Sequence, residues 1–334
     1  MRIISLWILL LSHLSLHCQT TDSIKIPPQP NGGLWADDEG NVINAHGGGL
    51  LYAGGTYFWY GEIKSGKTWL VPDQAWEAYR VPAGGVSCYS SKDLVNWHNE
   101  GVVLPSVKGI PDHDLDTSKV IERPKVIYNE KTNKYVMWMH VDSKDYSYSR
   151  AGVAISDSPI GPFQYLYSFR PNDQMSRDMT LYKDDDGRAY LIYASEWNKT
   201  MHICLLDGDY LSPTKTFTRI INAEHREAPA IFKYNHQYFL ITSGCTGWSP
   251  NPSTYAVSDS LLGEWLQFDN PCQGDGSNTT FDSQSTFVMP LKGRPDTFLF
   301  MADRWNKTDL ADSRYIWLIL KMKDNKPVIE WKER

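Results

Sequence analysis

The chain has 334 residues, a formal net charge of −6 and 22% charged residues, the balance of an ordinary acidic globular protein with room for a sizeable core. No basic tract interrupts it, which argues against a nucleic-acid partner. Its 13 Trp and 19 Tyr are a heavy aromatic load, suited to packing between sheets and to stacking on flat or apolar ligand faces such as sugar rings.

Residues 1–18 read as an export signal. Met1-Arg2-Ile3 opens an apolar stretch that continues to about Leu16, the length of a signal core and too short for a membrane span. Cys18 follows directly and is a candidate for a lipid anchor, although Ser15-Leu16-His17 matches the usual small-residue signal poorly. Simple cleavage here is the other reading. Either one exports the protein, as a periplasmic, outer-membrane-anchored or secreted product of a bacterial host. Residues 19–34 form a Pro-rich leader, and 35–334 form the main domain.

Within that domain one unit recurs five times: a polar residue, a short apolar strand, a turn, an aromatic strand, then a surface strand. The units open at His46, Glu122, Asp178, Glu227 and Gln284, with spacings of 76, 56, 49 and 57 residues. That is near the length of a four-stranded propeller blade. In the first unit Leu50-Leu51-Tyr52 and Tyr57-Phe58-Trp59-Tyr60 flank Ala53-Gly54-Gly55-Thr56, a hairpin signature. In the third, Thr180-Leu181-Tyr182 and Ala189-Tyr190-Leu191 flank Asp184-Asp185-Asp186-Gly187, which reads as a turn and not as a calcium loop. No sustained 3.6-residue period appears, so an α/β fold is excluded. The pattern predicts an all-β, five-bladed β-propeller, with a pair of β-sandwiches as the minor alternative. The long insertion Lys64–Arg80 in the first unit is expected to form a lid or wall. Cys88, Cys204, Cys245 and Cys272 have no zinc spacing; Cys245 and Cys272 could close one disulfide in an exported protein, the other reading being buried free thiols.

A ring of blades aims the five openings at one mouth, and three of them carry carboxyl groups. General acid and base work needs one carboxyl protonated near neutral pH beside another that stays ionised and raises its pKa. Glycoside hydrolysis uses such a pair. An acid beside Arg at a turn is more often a structural ion pair, as Glu122-Arg123, Arg177-Asp178 and Arg226-Glu227 each taken alone would be. Their recurrence at successive openings favours function.

Arg226-Glu227-Ala228-Pro229, Ser176-Arg177-Asp178-Met179-Thr180 and Ser283-Gln284-Ser285-Thr286 resemble the five-bladed propeller glycosidases of family 43. Ala45-His46-Gly47-Gly48-Gly49, Trp59-Tyr60-Gly61-Glu62, Thr246-Gly247-Trp248-Ser249-Pro250-Asn251 and Asp303-Arg304-Trp305 resemble its exo-β-1,3-galactanase branch. The resemblance spans roughly residues 35–332. It implies that Glu227 is the general acid and that Asp178 orients it and tunes its pKa. The wider family carries an Asp as base in the first blade, where this chain has Asn44-Ala45-His46-Gly47. The branch shares that loss, and by the resemblance Gln284 holds the water while Glu122 binds the terminal galactose, with Glu122 as base the competing assignment.

Glu62 and Asn198 are candidate partners for sugar hydroxyls, with Tyr148 a weaker one. Trp248 is a candidate stacking surface or a packing residue, Arg304 a substrate or structural residue, and His46 a central group whose simpler role is to plug the channel. The implied reaction is exo-acting, inverting release of galactose from the non-reducing ends of β-1,3-galactan, the arabinogalactan backbone. The alternatives are another exo-glycosidase of the same kind, acting on arabinofuranosides, xylosides or short galactosides, and a carbohydrate-binding propeller without activity. No catalytic metal or cofactor is expected. Calcium occurs at the centre of some propellers of the family, so a structural calcium is a further possibility that the resemblance raises.

Overall fold

A computed structural model describes residues 29–331; the export signal and Cys18 lie outside the described residues. Each repeat folds as one antiparallel sheet, its strands in chain order from centre to rim. Blade 1 is His46–Ala53, Thr56–Lys64, Ala83–Ser91 and His98–Pro105, and blade 2 is Val120–Asn129, Lys134–Asp142, Arg150–Ser156 and Gln164–Phe169. Blade 3 is Met179–Lys183, Ala189–Ser195, Thr200–Leu206 and Pro213–Ile220; blade 4 is Arg226–Tyr234, Gln237–Gly244, Thr254–Ser258 and Leu266–Phe268. Blade 5 is Gln284–Pro290, Thr297–Arg304, Arg314–Lys323 and Lys326–Glu330, with Cys272–Gln273 added in parallel at its outer edge. The five-bladed propeller expected from the repeats is the fold observed. The first hairpin shows why the turn signal worked: Ala53 pairs with Thr56, leaving Gly54 and Gly55 at φ 56° and 78°, the left-handed pair that a tight two-residue turn requires.

The first and second strands of a blade are buried almost continuously, as in Val120–Asn129 and Ala189–Ser195, so both faces of each sheet pack against neighbouring blades. One buried cluster fills each of the five junctions between blades. Five junctions for five blades means that the ring is closed. The closing junction joins blades 5 and 1, and it is where the tryptophans gather. Trp35, from the segment before blade 1, meets Trp317 at 5.1 Å and Trp59 at 6.2 Å, both edge to face. Asn31 locks the same strand of blade 5 through both backbone groups of Trp317, at 2.8 and 3.1 Å. The pre-blade segment therefore works as a clasp, and the non-sequential contact it makes compensates for the absence of a strand shared between the first and last blades.

Antiparallel pairing also decides where chemistry gathers. The start of each inner strand lies beside the end of the second strand: His46 pairs with Glu62, Glu122 with His140, Glu227 with Ser243 and Gln284 with Asp303. Both ends face the same mouth. In blades 1, 2 and 4 the register slips directly after the opening residue. Gly47, Arg123 and Ala228 there have φ of 57°, 56° and 54°. Pro124 and Pro229 follow, tolerated because a bulge leaves no ladder bond for their missing N–H. The shared Glu-x-Pro spelling is thus a bulge that turns Glu122 and Glu227 inward.

Candidate active site

The mouth holds a cavity of about 300 Å³ lined by Glu62, Glu122, Arg123, Asp178, Glu227 and Gln284. Around these polar residues stand five aromatics, Trp76, Tyr146, Trp197, Trp248 and Trp305. Each blade supplies one of them, from the chain that follows its second strand. A larger cavity of about 590 Å³ opens at the opposite end of the inner strands, but among the described residues Asp185 is the only acidic one lining it. Its Lys183 and Lys233 are already paired with Glu130 and with Asp184 and Asp185. The acid and base chemistry belongs to the smaller cavity.

Glu227 reaches that cavity from the bulge of blade 4. Asn198 Nδ2 donates to its Oε2 at 3.0 Å, and Gln284 Nε2 donates to its Oε1 at 2.9 Å. Burial, followed by the charge of Asp178, pushes its pKa up to about 8 against the opposing pull of Arg123. The Glu227 carboxyl is therefore largely protonated at neutral pH, the state of a proton donor. Asp178 Oδ2 accepts from the Ala228 N–H at 3.0 Å and forms an ion pair with Arg123 at 3.0 Å. That places it on the bulge carrying Glu227.

Glu122 lies on the opposite electrostatic setting. Tyr146 donates its hydroxyl at 2.6 and 2.7 Å to the two carboxylate oxygens. Lys64 stands 3.6 Å away, and His140 Nδ1 is 3.3 Å away in a charge contact without hydrogen-bond alignment. Burial alone would raise Glu122, but Lys64, His140 and Arg80 outweigh it and hold the carboxyl well below its usual range. His140 is itself fully buried between Glu122 and Asp142, whose Oδ2 is 2.8 Å from Nε2; burial lowers its pKa, yet these two carboxylates carry it up to about 9. An imidazolium thus backs Glu122. Glu62, paired with Lys64 at 2.9 Å, is raised by burial to about 7 against that pairing, with the Glu122 charge adding to the rise.

Gln284 has all four hydrogen-bonding positions committed. Its oxygen accepts from Arg123 at 2.5 Å and from Trp305 Nε1 at 3.0 Å, and its nitrogen donates to Glu227 and to Ser243 Oγ at 3.0 Å. Arg and Trp can only donate, so they fix the orientation of the amide. Asn198 lines the cavity with its Oδ1 buried and unpartnered, and Trp248 lines it edge-on to Trp305 at 5.3 Å.

Three sequence candidates lie elsewhere. Tyr148 does not line the cavity; it packs between Arg150 and Lys119 over the junction of blades 1 and 2, and Tyr146, two residues earlier, faces the cavity instead. Arg304 also stays out, because its guanidinium binds the carbonyls of Phe281 and Asp282, while the next residue, Trp305, points in. His46 is 2% exposed, stacked on Tyr315 at 4.8 Å and held by Asp303 at 3.2 Å. It occupies the position of a plug beneath the cavity. Asn44, at the stretch without a carboxyl group, closes a two-bond bridge to the Lys64 backbone at 2.8 and 2.9 Å. The insertion forms a wall: Trp69–Leu70 pairs with Tyr79–Arg80, Trp76 faces the cavity, and Glu77 pairs with Lys307 of blade 5.

Sequence reading missed Arg123, Tyr146, Trp76 and Trp197. An aromatic within four residues of the second strand in blades 2 to 5 was the available signal. Of the two readings of the cysteines, free thiols are found: Cys88, Cys204, Cys245 and Cys272 carry no disulfide, and Cys245 is exposed where the others are buried. Cys245 lies at the cavity beside Glu227, whereas Cys272 is buried at the outer edge of blade 5, so the two occupy opposite radial ends of the fold.

Glu122, His140 and Asp178 bring ligand atoms within 4.8 Å of one another. His140, Lys64 and Arg123 already serve these carboxylates as cations, so the group does not suit a metal ion. At the channel centre Lys125 Nζ donates to the carbonyls of Gly47 and Arg123 at 2.7 and 3.4 Å. Those carbonyls are taken by the amine, and the residues there do not fit calcium.

A model of the family "Glycosyl hydrolases family 43" matches residues 51–304. Among solved structures, a family 43 β-1,3-galactosidase with galactodeoxynojirimycin is 42% identical, with a TM-score of 0.84 over 92% of this chain and 99% of that one. An exo-β-1,3-galactanase from Phanerochaete chrysosporium with galactose is 39% identical, with a TM-score of 0.81 over 90% of this chain and 66% of that one. An exo-β-1,3-galactanase from Clostridium thermocellum is 38% identical, with a TM-score of 0.78 over 90% and 64%. No match was found among curated protein sequences.

Proposed function

This chain belongs to glycosyl hydrolase family 43 and is a glycoside hydrolase, and we propose that it releases galactose, one unit at a time, from the non-reducing ends of β-1,3-galactan with inversion. The observation that carries the reading is a carboxyl group, Glu227, held protonated to about pH 8 at the wall of a small cavity closed by all five blades. A pocket with a floor admits a chain end and excludes a chain middle, which gives exo action. The similarity to galactan- and galactoside-cleaving relatives supports the choice of sugar.

In this reading Glu227 protonates the glycosidic oxygen as the bond to the anomeric carbon breaks. Asp178 sustains the raised pKa of Glu227, and its bond to the Ala228 N–H fixes the bulge. Gln284 orients Glu227; with both lone pairs of its oxygen filled, it has no site left to take a proton from water. We therefore assign the water to the Glu122 side, where a carboxylate stays ionised at any working pH. Glu62 and Asn198 receive sugar hydroxyls, and Trp248 walls the ring. Trp76 on the insertion closes the side next to blade 2, through its contact with Tyr146 at 5.7 Å. Export through residues 1–18, with or without acylation of Cys18, remains part of this proposal. No helix among the described residues is long and apolar enough to cross a membrane.

Product analysis on debranched β-1,3-galactan tests the reading, with Glu227→Gln in parallel. Galactose as the sole early product, appearing first as the α anomer and lost in the variant, supports it. Longer oligosaccharides, or a different sugar from a polysaccharide panel, overturn the exo-galactanase assignment. Azide added to Glu122→Ala and Glu62→Ala separates the water roles. Rescue with an α-galactosyl azide product marks the missing base, and rescue of Glu62→Ala alone moves the assignment to Glu62.

A further inference from the structure

Trp197 is the most exposed aromatic of the cavity, at 56%. It sits in the turn between the second and third strands of blade 3, where Glu196, Trp197 and Asn198 have φ of 53°, 60° and 61°. Three consecutive left-handed residues, none of them glycine, are costly and persist only where surroundings hold them. The hold is visible: Glu196 is gripped by His202 at 3.0 Å and Arg219 at 2.6 Å. Asn198 is bonded to Glu227. One face of the Trp197 indole is backed by the Arg177 guanidinium at 4.7 Å, which is itself tied to the Tyr146 carbonyl at 2.9 Å. The other face has no aromatic or cationic partner among the described residues and is open to solvent.

A large apolar side chain strained into the open beside the general acid calls for a ligand. Its side of the reaction follows from chemistry. The acid must stand next to the leaving-group oxygen, and Trp197 is one residue from the amide that touches the acid. Resting on the galactan reading above, we propose that Trp197 is the stacking platform for the first leaving-group sugar, a β-1,3-linked galactosyl unit, and that it sets the preference of the enzyme for oligomeric over small aglycones. The C–H-rich face of the pyranose lies on the open indole face, and Arg177 keeps the indole from rotating away. The role is binding, and the bond-breaking step stays with Glu227.

The experiment compares β-1,3-galactotriose with β-galactosyl fluoride, whose leaving group is too small to reach the turn, in wild type, Trp197→Ala and Trp197→Phe. The expected result is a KM for galactotriose raised roughly tenfold in Trp197→Ala, with kcat little changed. Rates on the fluoride stay at the wild-type level, and Trp197→Phe recovers most of the loss. Unchanged fluoride hydrolysis also shows that the variant is folded. Equal losses on both substrates, or no loss on either, overturn the platform. If wild type cleaves neither substrate, the galactan reading fails first and this inference with it.

Discussion

Replacing Asp178 by Asn tests whether charge sets the proton on Glu227. The Asn side chain keeps an oxygen to accept the Ala228 N–H, so the bulge is retained while the negative charge is lost. The Asp178 charge is the second cause of the raised Glu227 pKa, and a neighbouring like charge is typically worth about two pH units, or about 3 kcal/mol. Arg123, freed from its ion pair with Asp178, then favours ionised Glu227 and shifts it in the same direction. Activity requires Glu227 protonated, so kcat/KM falls as pH rises through the Glu227 pKa. In wild type that alkaline limb lies near pH 8; in Asp178→Asn it moves down by about two units. At pH 7 the protonated fraction then drops from about 90% to about 9%, a loss of about tenfold, while near pH 5 the two enzymes come close together. The assay is kcat/KM on β-1,3-galactobiose from pH 4 to 9. A limb that stays in place while the rate falls equally at every pH would refute the electrostatic argument and leave Asp178 with an orienting role.

Glu227→Gln should remove most of the activity, a loss of about 10² to 10⁴, yet stabilise the fold at alkaline pH. A carboxyl whose folded pKa is raised contributes stability below its unfolded value that is lost as pH rises through the folded one. The melting temperature of the variant should therefore exceed that of wild type at pH 8 and converge with it near pH 4, as calorimetry can show. His140→Asn removes the cation behind Glu122 and lets that carboxyl rise toward its ordinary range, so an acidic limb of kcat/KM that wild type lacks at working pH should appear. Trp35→Ala empties the clasp between blades 5 and 1 and should cost about 3–5 kcal/mol in urea unfolding; a loss under 1 kcal/mol would mean that the ring closes without it.

Much of this molecule can be read along the chain because its structure is locally encoded. Strands of period two, glycine-rich hairpins and a repeat of fixed order are all short-range, so the five blades and their openings at Glu122, Asp178, Glu227 and Gln284 were legible. The convergence of these side chains follows from ring closure, which the repeat count implies. What the sequence leaves open lies in turns, where no periodicity says which way a side chain points. Tyr146 faces the cavity and Tyr148 does not, and Tyr146 sits at a left-handed position that no sequence period marks. Trp197 is held in the open by contacts remote in sequence: His202 and Arg219 on Glu196, Glu227 on Asn198 and Arg177 on the indole. Arg304 ends a strand and Trp305 opens the loop after it, so no periodicity says which of the two enters the cavity. Radial position is equally silent in the sequence: Cys245 and Cys272 are 27 residues apart, yet one stands at the mouth and the other at the rim. Protonation depends on the same tertiary facts. Glu122 and Glu227 share a Glu-x-Pro bulge, and their opposite charge states come from Lys64 and His140 on one side and from burial and Asp178 on the other, with Lys64 and Asp178 brought in from neighbouring blades.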